Sequence, residues 1–444
     1  MEKTSYSYSQ IWKVAYPILL TLLVQNLIQV INTAFLGRVG EVELGASAIA
    51  GIYYIAVFML AFGFSTGSQI LIGRRNGEKN FDKIGEIVVF GAVFLWIIAL
   101  LIFLFTRTCS ASILERVLSS QNILEASIDY LDWRILGLFF ATTNVMFRAF
   151  FVGITRTKVL TVNAILMALT NVLLDYLLIF GNWGFPKMGI GGAALASVIS
   201  EAVSVIFFLV YTFRVVDLKK YGFVGITWKN LRVIKSILDL SLSLMIQYFI
   251  SLSTWLIFFL MIERMGETTL AASNIIRSFY MIISIPVFAL ASTANTLVSN
   301  TIGAGKQKEV IALIWKISRL AFAIVAVFVI FLALFPKLAL SIYTTNPELI
   351  QASLPSLYVI LLVALMIAIA NIFFQSVSGT GNTRSALLIE ITTLALYCIW
   401  MWFVVVHLQA SLAVCWTTEL VYALFIGLLS FIYFKKGNWM NKKI

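Results

Sequence analysis

Apolar residues fall along this chain in twelve long, continuous stretches separated by short polar breaks, at about 11–36, 46–72, 84–106, 122–151, 158–181, 190–214, 232–262, 269–300, 310–335, 348–378, 384–405 and 411–434. An α-helix needs about 20 residues to cross a hydrocarbon layer, so each stretch predicts a span. Apolar and polar positions do not alternate, which points to helices and away from the strands of a barrel. In the fourth stretch Asp129, Asp132 and Arg134 must lie near the mouth of the span. The first stretch is long, carries polar residues and lacks a small-residue cleavage pattern, so it reads as a span and not as a signal peptide.

The stretches repeat. A shift of 226 residues lays 38–49 (RVGEVELGASAI) on 264–275 (RMGETTLAASNI), with identity at Arg38, Gly40, Glu41, Leu44, Ala46, Ser47 and Ile49. The same ungapped shift pairs Tyr54 with Tyr280, Phe62 with Phe288, Gly77 with Gly303, Gly153 with Gly379, and Thr157-Lys158 with Thr383-Arg384. Apolar composition alone does not align glycines and charges at one offset. Six spans per repeat bring both halves in from the same side, as parallel repeats related by an axis along the membrane normal. The predicted fold class is therefore all-α integral membrane, with twelve transmembrane helices in two pseudo-symmetric six-helix bundles. The N-terminal bundle covers 1–214, a cytoplasmic linker with Asp217, Lys219, Lys220 and Lys229 covers 215–231, and the C-terminal bundle covers 232–444. Two such bundles are expected to enclose a central cleft that rocking opens to either side.

Composition agrees. Of 444 residues, 61% are hydrophobic and 12% charged, against about half and a quarter in soluble domains. The net charge of +12 does not mark a nucleic-acid binder, because the basic residues sit in the breaks between spans. The termini and the loops on their side hold 21 of the 32 Lys and Arg; the opposite loops hold Arg38, Arg107, Arg116, Lys187, Arg264 and Lys337. Positive charge favours the cytoplasm, so a multi-pass protein of the cell (inner) membrane with both termini cytoplasmic is predicted. Cys109, Cys398 and Cys415 show no metal or redox spacing, and His407 is the only histidine. The Gly-rich stretch 189–192 lacks the Walker Lys-Ser/Thr pattern, so ATP does not drive this chain.

Several motifs resemble the multidrug and toxic compound extrusion (MATE) transporters. Pro17 followed by NTAFLGRVG (32–40) resembles that family's opening helix. GRRNGEK (73–79) and SNTIGAGK (299–306) are similar to its loops after spans two and eight. GITRTK (153–158) and GTGNTR (379–384) are similar to its turns between spans four and five, and ten and eleven. NVLLDYLLIFG (171–181) and MGIGGAALASVIS (188–200) resemble spans five and six. The resemblance implies export of amphiphilic, often cationic compounds through a cleft between two six-helix bundles, driven by inward H⁺ or Na⁺. It also implies an ion-coupling acid near the middle of the first helix in many bacterial members, where this chain has Asn32. The span-seven acid of another branch is absent from MIQYFISLSTW (245–255), and no acid lies between Glu348 and Glu390.

Asp175 is the first candidate for ion coupling, because an ionised carboxylate at mid-span costs roughly 2.5–3.5 kcal/mol on insertion scales. Asn171, four residues earlier, shares its face of the helix. The pair can hydrogen-bond or offer oxygens to Na⁺; no other metal is expected. Both match the family's span-five motif, and Ser197 matches a hydroxyl position in span six. Burial of such a group favours its neutral form, so a proton can bind from one side and leave on the other. The competing reading is an Asp held by its neighbours for packing. Asn32, with Gln25 and Gln29 on nearby turns, makes a polar stripe that either faces Asp175 or glues helices together. Pro17 is expected to bend the first helix, for gating or for kinked packing.

Glu201, Glu390 and Glu419 are secondary acidic candidates, each in need of a partner, a proton or a watery cavity. Arg148 and Arg277 are the buried-looking cations, expected to pair with those acids or to repel like-charged substrates. Aromatic residues including Phe139, Phe140, Phe147, Phe150, Trp255, Tyr280, Phe373 and Phe374 suit flat cations if they line a cleft, although most Phe in membrane helices packs against lipid or a neighbour. Gln25, Phe147, Arg148, Trp255, Tyr280 and Phe373 are the candidate cleft residues. The resulting expectation is a monomeric antiporter, not an enzyme, with no catalytic residues and no cofactor beyond the coupling ion. Its partners are a small organic substrate and membrane lipid. The rivals are a lipid-linked saccharide flippase, which asks for more basic spans, and an integral-membrane enzyme such as an acyltransferase, which asks for His or paired carboxylates at the boundary. The duplicated halves disfavour a channel.

Overall fold

Helices account for nearly all of the chain in the computed structural model, which describes residues 6–118, 120–226, 232–436, 439–440, 442 and 444. Residues 227–231 of the expected linker, with Lys229, lie outside the described residues. In chain order the helices are α1 (Tyr8–Val39), α2 (Glu41–Gly77), α3 (Ile84–Val117), α4 (Gln121–Arg134), α5 (Gly137–Gly153), α6 (Lys158–Leu178), α7 (Gly189–Val215), α8 (Arg232–Glu263), α9 (Glu267–Gly303), α10 (Val310–Leu334), α11 (Pro336–Ser341), α12 (Pro347–Gly379), α13 (Thr383–Trp402) and α14 (Leu412–Lys436). Among the described residues eleven helices are long and apolar enough to cross a membrane, and the pair α4 and α5, bent by 51°, makes a twelfth span. The protein is therefore an all-α multi-pass membrane protein. Large apolar side chains point outward, with Leu169 67% and Val327 68% exposed, as lipid requires of its solvent-facing surface.

The 226-residue repeat is visible in the elements. Both α2 and α9 begin and end at that offset, the short 3₁₀ turns Phe81–Lys83 and Gln307–Glu309 do so as well, and α5 and α12 end at the equivalent Gly153 and Gly379. These two glycines do the same work. A Cβ at Gly153 would stand 2.6 Å from Ile72 Cγ2 and 3.2 Å from Gln69 O, while one at Gly379 would stand 2.5 Å from Asn295 O. Gln69 and Asn295 are themselves repeat partners, so each half brings two helices together at the same backbone approach, which a side chain would prevent.

The expected fourth span, 122–151, is not one straight helix. It breaks between Arg134 and Gly137, where Leu136 N–H donates to Trp133 O at 3.2 Å and Leu138 N–H to Ile135 O at 3.1 Å. These tighter bonds turn the chain while keeping its amides satisfied. Arg134, expected near the mouth of the span, is 9% exposed, and the bend delivers it to an acidic partner. Gly137 leaves room beside that ion pair. Asp132, in contrast, is half-exposed and pairs with Arg107.

Two compact units emerge. One holds Leu20–Met245; the other holds the described residues up to Leu19 together with those from Ile246 onward. The divisions fall inside α1 and α8, whose helices run through them; α1 also continues unbroken through Pro17. In the first unit the start of α8 is tied to α2 by Ser241 Oγ, which donates to Phe64 O at 3.0 Å. The described part of the linker folds back on the same unit. Tyr221 is buried with its ring 5.7 Å from that of Phe150, and its carbonyl accepts from Gly85 N–H at 2.6 Å. In the second unit Ile11 and Ala15 of α1 join a core built mainly from α9, α10, α12 and α14. There Lys316 Nζ donates to Tyr6 O at 2.8 Å.

Candidate cation-binding site

Within the Leu20–Met245 unit, α6 places Asn171 and Asp175 one turn apart, 1% and 0% exposed. Asn32 of α1 meets both. In the amide orientation that satisfies its neighbours, Asn32 Nδ2 donates to Asp175 Oδ2 at 2.6 Å, to Asn171 Oδ1 at 2.9 Å and to Ile28 O of its own helix at 3.1 Å. Asn171 Nδ2 reaches Ser197 Oγ of α7 at 3.5 Å, and that hydroxyl donates to Ala193 O at 3.1 Å. The four residues expected to handle the ion thus form one line of contacts across three helices. Among the described residues Asp175 Oδ1 has no hydrogen-bond partner, and no Lys or Arg forms an ion pair with Asp175. Among the described residues a neutral amide is the only hydrogen-bond donor to this buried carboxyl.

Glu201 of α7 is placed differently. Its two oxygens accept from Arg134 Nη2 at 2.6 Å and Nη1 at 3.0 Å, and the Arg134 guanidinium lies 3.7 Å from the centre of the Tyr54 ring. The cation that meets this acid is Arg134, which the bend after α4 carries inward. Arg148 lies 5.2 Å from the centre of the Phe62 ring. With Gln25, Asn144, Asn163 and Ser204 it lines a cavity of about 120 Å³ in this unit. A hydrogen-bond relay runs along the wall: Asn163 Nδ2 donates to Ser204 Oγ at 2.7 Å, Ser204 Oγ to Asn144 Oδ1 at 2.7 Å, and Asn144 Nδ2 to Glu201 O at 3.1 Å. Phe147 stacks on the cavity-lining Phe208, with centroids 5.3 Å apart.

The remaining candidates belong to the other unit. Glu390 of α13 accepts from Ser251 Oγ of α8 and from Tyr422 Oη of α14, the latter at 3.2 and 3.3 Å to its two oxygens. Glu419 of α14 accepts from Tyr397 Oη at 3.0 Å and Tyr280 Oη at 3.3 Å. Neither acid pairs with Arg277, contrary to the expectation; its guanidinium lies 5.2 Å from the centre of the Phe259 ring. Hydroxyl dipoles take the place of a cation at both. Trp255 packs edge-on against Phe259 with centroids 4.9 Å apart. Phe373 is 3% exposed and wedged against Trp315, so its ring serves the core. Sequence reasoning missed Arg134, the relay of Asn144, Asn163 and Ser204, and the tyrosines Tyr397 and Tyr422. Asn163, a polar residue in mid-span, carried the one readable signal.

A helical membrane protein with a duplicated six-span plan and buried carboxyl groups has the architecture of a membrane transporter. Comparison makes the assignment specific. The MatE family model matches residues 17–177 and again 243–404, two stretches that begin at the 226-residue offset of the repeat, and the chain belongs to the MATE family of transporters. It is 25% identical over 439 residues to the probable multidrug resistance protein NorM of Thermotoga maritima, covering 97% of this chain and 93% of that one. It is 24% identical to the probable multidrug resistance protein YoeA of Bacillus subtilis over 86% of this chain and 82% of that one. Its fold matches an outward-facing multidrug resistance MATE family transporter of the MOP superfamily with a TM-score of 0.88, at 17% identity and full coverage of both chains.

Proposed function

We propose that this transporter exports small amphiphilic or cationic organic compounds by antiport with H⁺ or Na⁺, and that Asp175 is the group the ion neutralises. The carrying observation is a fully buried carboxyl with one oxygen unpartnered and only the Asn32 amide on the other. In hydrocarbon such a group is expensive while ionised. A proton at Oδ1 discharges it; Na⁺ does the same if Asp175, Asn171 and Ser197 turn their oxygens to it. Discharge and recharge then bias α1 against α6 and α7, which supports alternating access. The names of the NorM and YoeA relatives support drugs as substrates, and the charge bias of the loops supports cytoplasmic termini in the cell (inner) membrane. The reading takes the chain to work as a monomer.

Dye or drug efflux from reconstituted vesicles, under separately imposed proton and sodium gradients, tests the reading. Wild type is expected to respond to one gradient, and Asp175→Asn, which keeps the shape of the side chain, is expected to lose that response while still binding substrate. Undiminished gradient-driven efflux by the variant refutes the role of Asp175. Failure of either gradient to move any substrate refutes the antiport.

A further inference from the structure

We propose that the C-terminal unit carries a proton-binding site of its own, formed by Glu419 with Tyr397 and Tyr280, at the repeat-equivalent of the Asp175 site.

The 226-residue offset carries Asn171 onto Tyr397, Asn32 onto Phe258, Ser197 onto Ala423 and Asp175 onto Met401. The second half has therefore lost its acid on α13 and its amide on α8. A carboxyl nevertheless occupies the equivalent place. It comes from α14, one turn before Ala423, as Glu419, and it takes a hydrogen bond from Tyr397, the counterpart of Asn171. Phe258, the counterpart of Asn32, lies 6.4 Å from Tyr397, ring to ring. Tyr280, whose counterpart Tyr54 lies against the Arg134 of the Glu201 pair, donates to the other oxygen. Each half thus buries a carboxyl near the residue at the 171/397 position, with a different helix supplying it.

The surroundings favour a proton. Glu419 is 4% exposed, and both groups bonded to it are phenol hydroxyls that donate to its oxygens and present no carbonyl or amide oxygen to a metal ion. The other titratable groups around it are Tyr422, whose ring is 6.3 Å from that of Tyr397, Glu390 beyond Tyr422, the thiols of Cys398 and Cys415, and Arg277 against Phe259. Among the described residues neither glutamate forms an ion pair. Hydroxyl dipoles alone do not compensate two buried negative charges.

Among the described residues, buried polar atoms without a hydrogen-bond partner stand one turn along the same helices. Trp416 Nε1, one turn before Glu419, is fully buried, and Trp416 packs 6.5 Å from Tyr280, ring to ring. Gln247 Oε1, one turn before Ser251, is 2% exposed, and Thr393 Oγ1, one turn after Glu390, is fully buried. Tyr397 on Glu419 and Tyr422 on Glu390 have their rings 6.3 Å apart, so the two buried acids are neighbours.

Infrared difference spectra of the purified full-length protein, recorded between acid and alkaline pH without substrate, test this directly. Asp175→Asn is expected to keep a pH-dependent carboxylic C=O band, and adding Glu419→Gln is expected to remove it or reduce it by about half if Glu390 keeps its own proton. Tyr397→Phe preserves packing and is expected to shift the frequency of that band, because one oxygen loses its donor; this variant decides the matter if Glu419→Gln does not fold. Two results overturn the proposal: no carboxylic band survives in Asp175→Asn, or the surviving band ignores both Glu419→Gln and Tyr397→Phe. A signal driven by Na⁺ at constant pH overturns the proton assignment. The measurement involves no transport, so the export reading and this one fail separately.

Discussion

The Arg134–Glu201 pair tests whether an acid inside this protein serves structure or transport. Both side chains are largely buried, at 10% and 14% exposure, and the contact is bidentate. Glu201→Gln leaves the guanidinium buried without its counter-charge, and removal of one partner from such a pair costs about 3–5 kcal/mol. The Tyr54 ring remains against the orphaned cation and offsets about 0.5–2 kcal/mol, so a net loss of about 1–4.5 kcal/mol is expected. Arg134→Met strands the carboxylate with no ring to help, and the full 3–5 kcal/mol is expected. The double variant buries no unpaired charge and is expected to lie close to wild type, which gives a coupling energy of about 3 kcal/mol or more. A double-mutant cycle by unfolding titration in mixed micelles, with efflux measured in parallel, reads both quantities. Single effects that add within about 0.5 kcal/mol refute the pairing argument. A Glu201→Gln protein of normal stability that no longer transports makes Glu201 a functional acid instead.

Overpacking at the symmetric glycines is expected to be unequal. Gly379→Ala drives a methyl against the Asn295 carbonyl, which cannot rotate away, whereas Gly153→Ala meets mainly the side chain of Ile72. A cost of about 1–3 kcal/mol is expected for Gly153→Ala and at least the upper end of that range for Gly379→Ala; a Gly379→Ala protein that melts with wild type in detergent refutes the argument. Topology is checked with single cysteines in a cysteine-free background. Lys187→Cys is expected to react with an impermeant maleimide in intact cells and Lys219→Cys only after permeabilisation, and the opposite result reverses the assigned orientation.

The spans were legible because their signal is summed over about 20 residues, and the repeat because glycines and charges recur at one offset with no gap. The Asn171–Asp175 pair followed from helical spacing. The meeting of Asn32 with Asp175 did not, since nothing in either local segment specifies how α1 rotates towards α6; the family resemblance directed attention there. The Arg134–Glu201 pair is not legible in the sequence, because on a straight helix Arg134 sits with Asp129 and Asp132 at the mouth of the span, and only the bend after α4 buries it. The tyrosines that hold Glu390 and Glu419 were hidden among other aromatic residues, where a hydroxyl adds little to hydropathy. Phe373 was legible as apolar but not as core, because its packing depends on Trp315, 58 residues away along the chain.

The break between α4 and α5 also bears on how the protein is made. A segment carrying Asp129, Asp132 and Arg134 meets the translocon with little tendency to partition into lipid, and α4 does not qualify as a span without α5. Its internal counter-charge, Glu201, is synthesised 67 residues later. The buried guanidinium therefore gains this counter-charge only once α7 has been made.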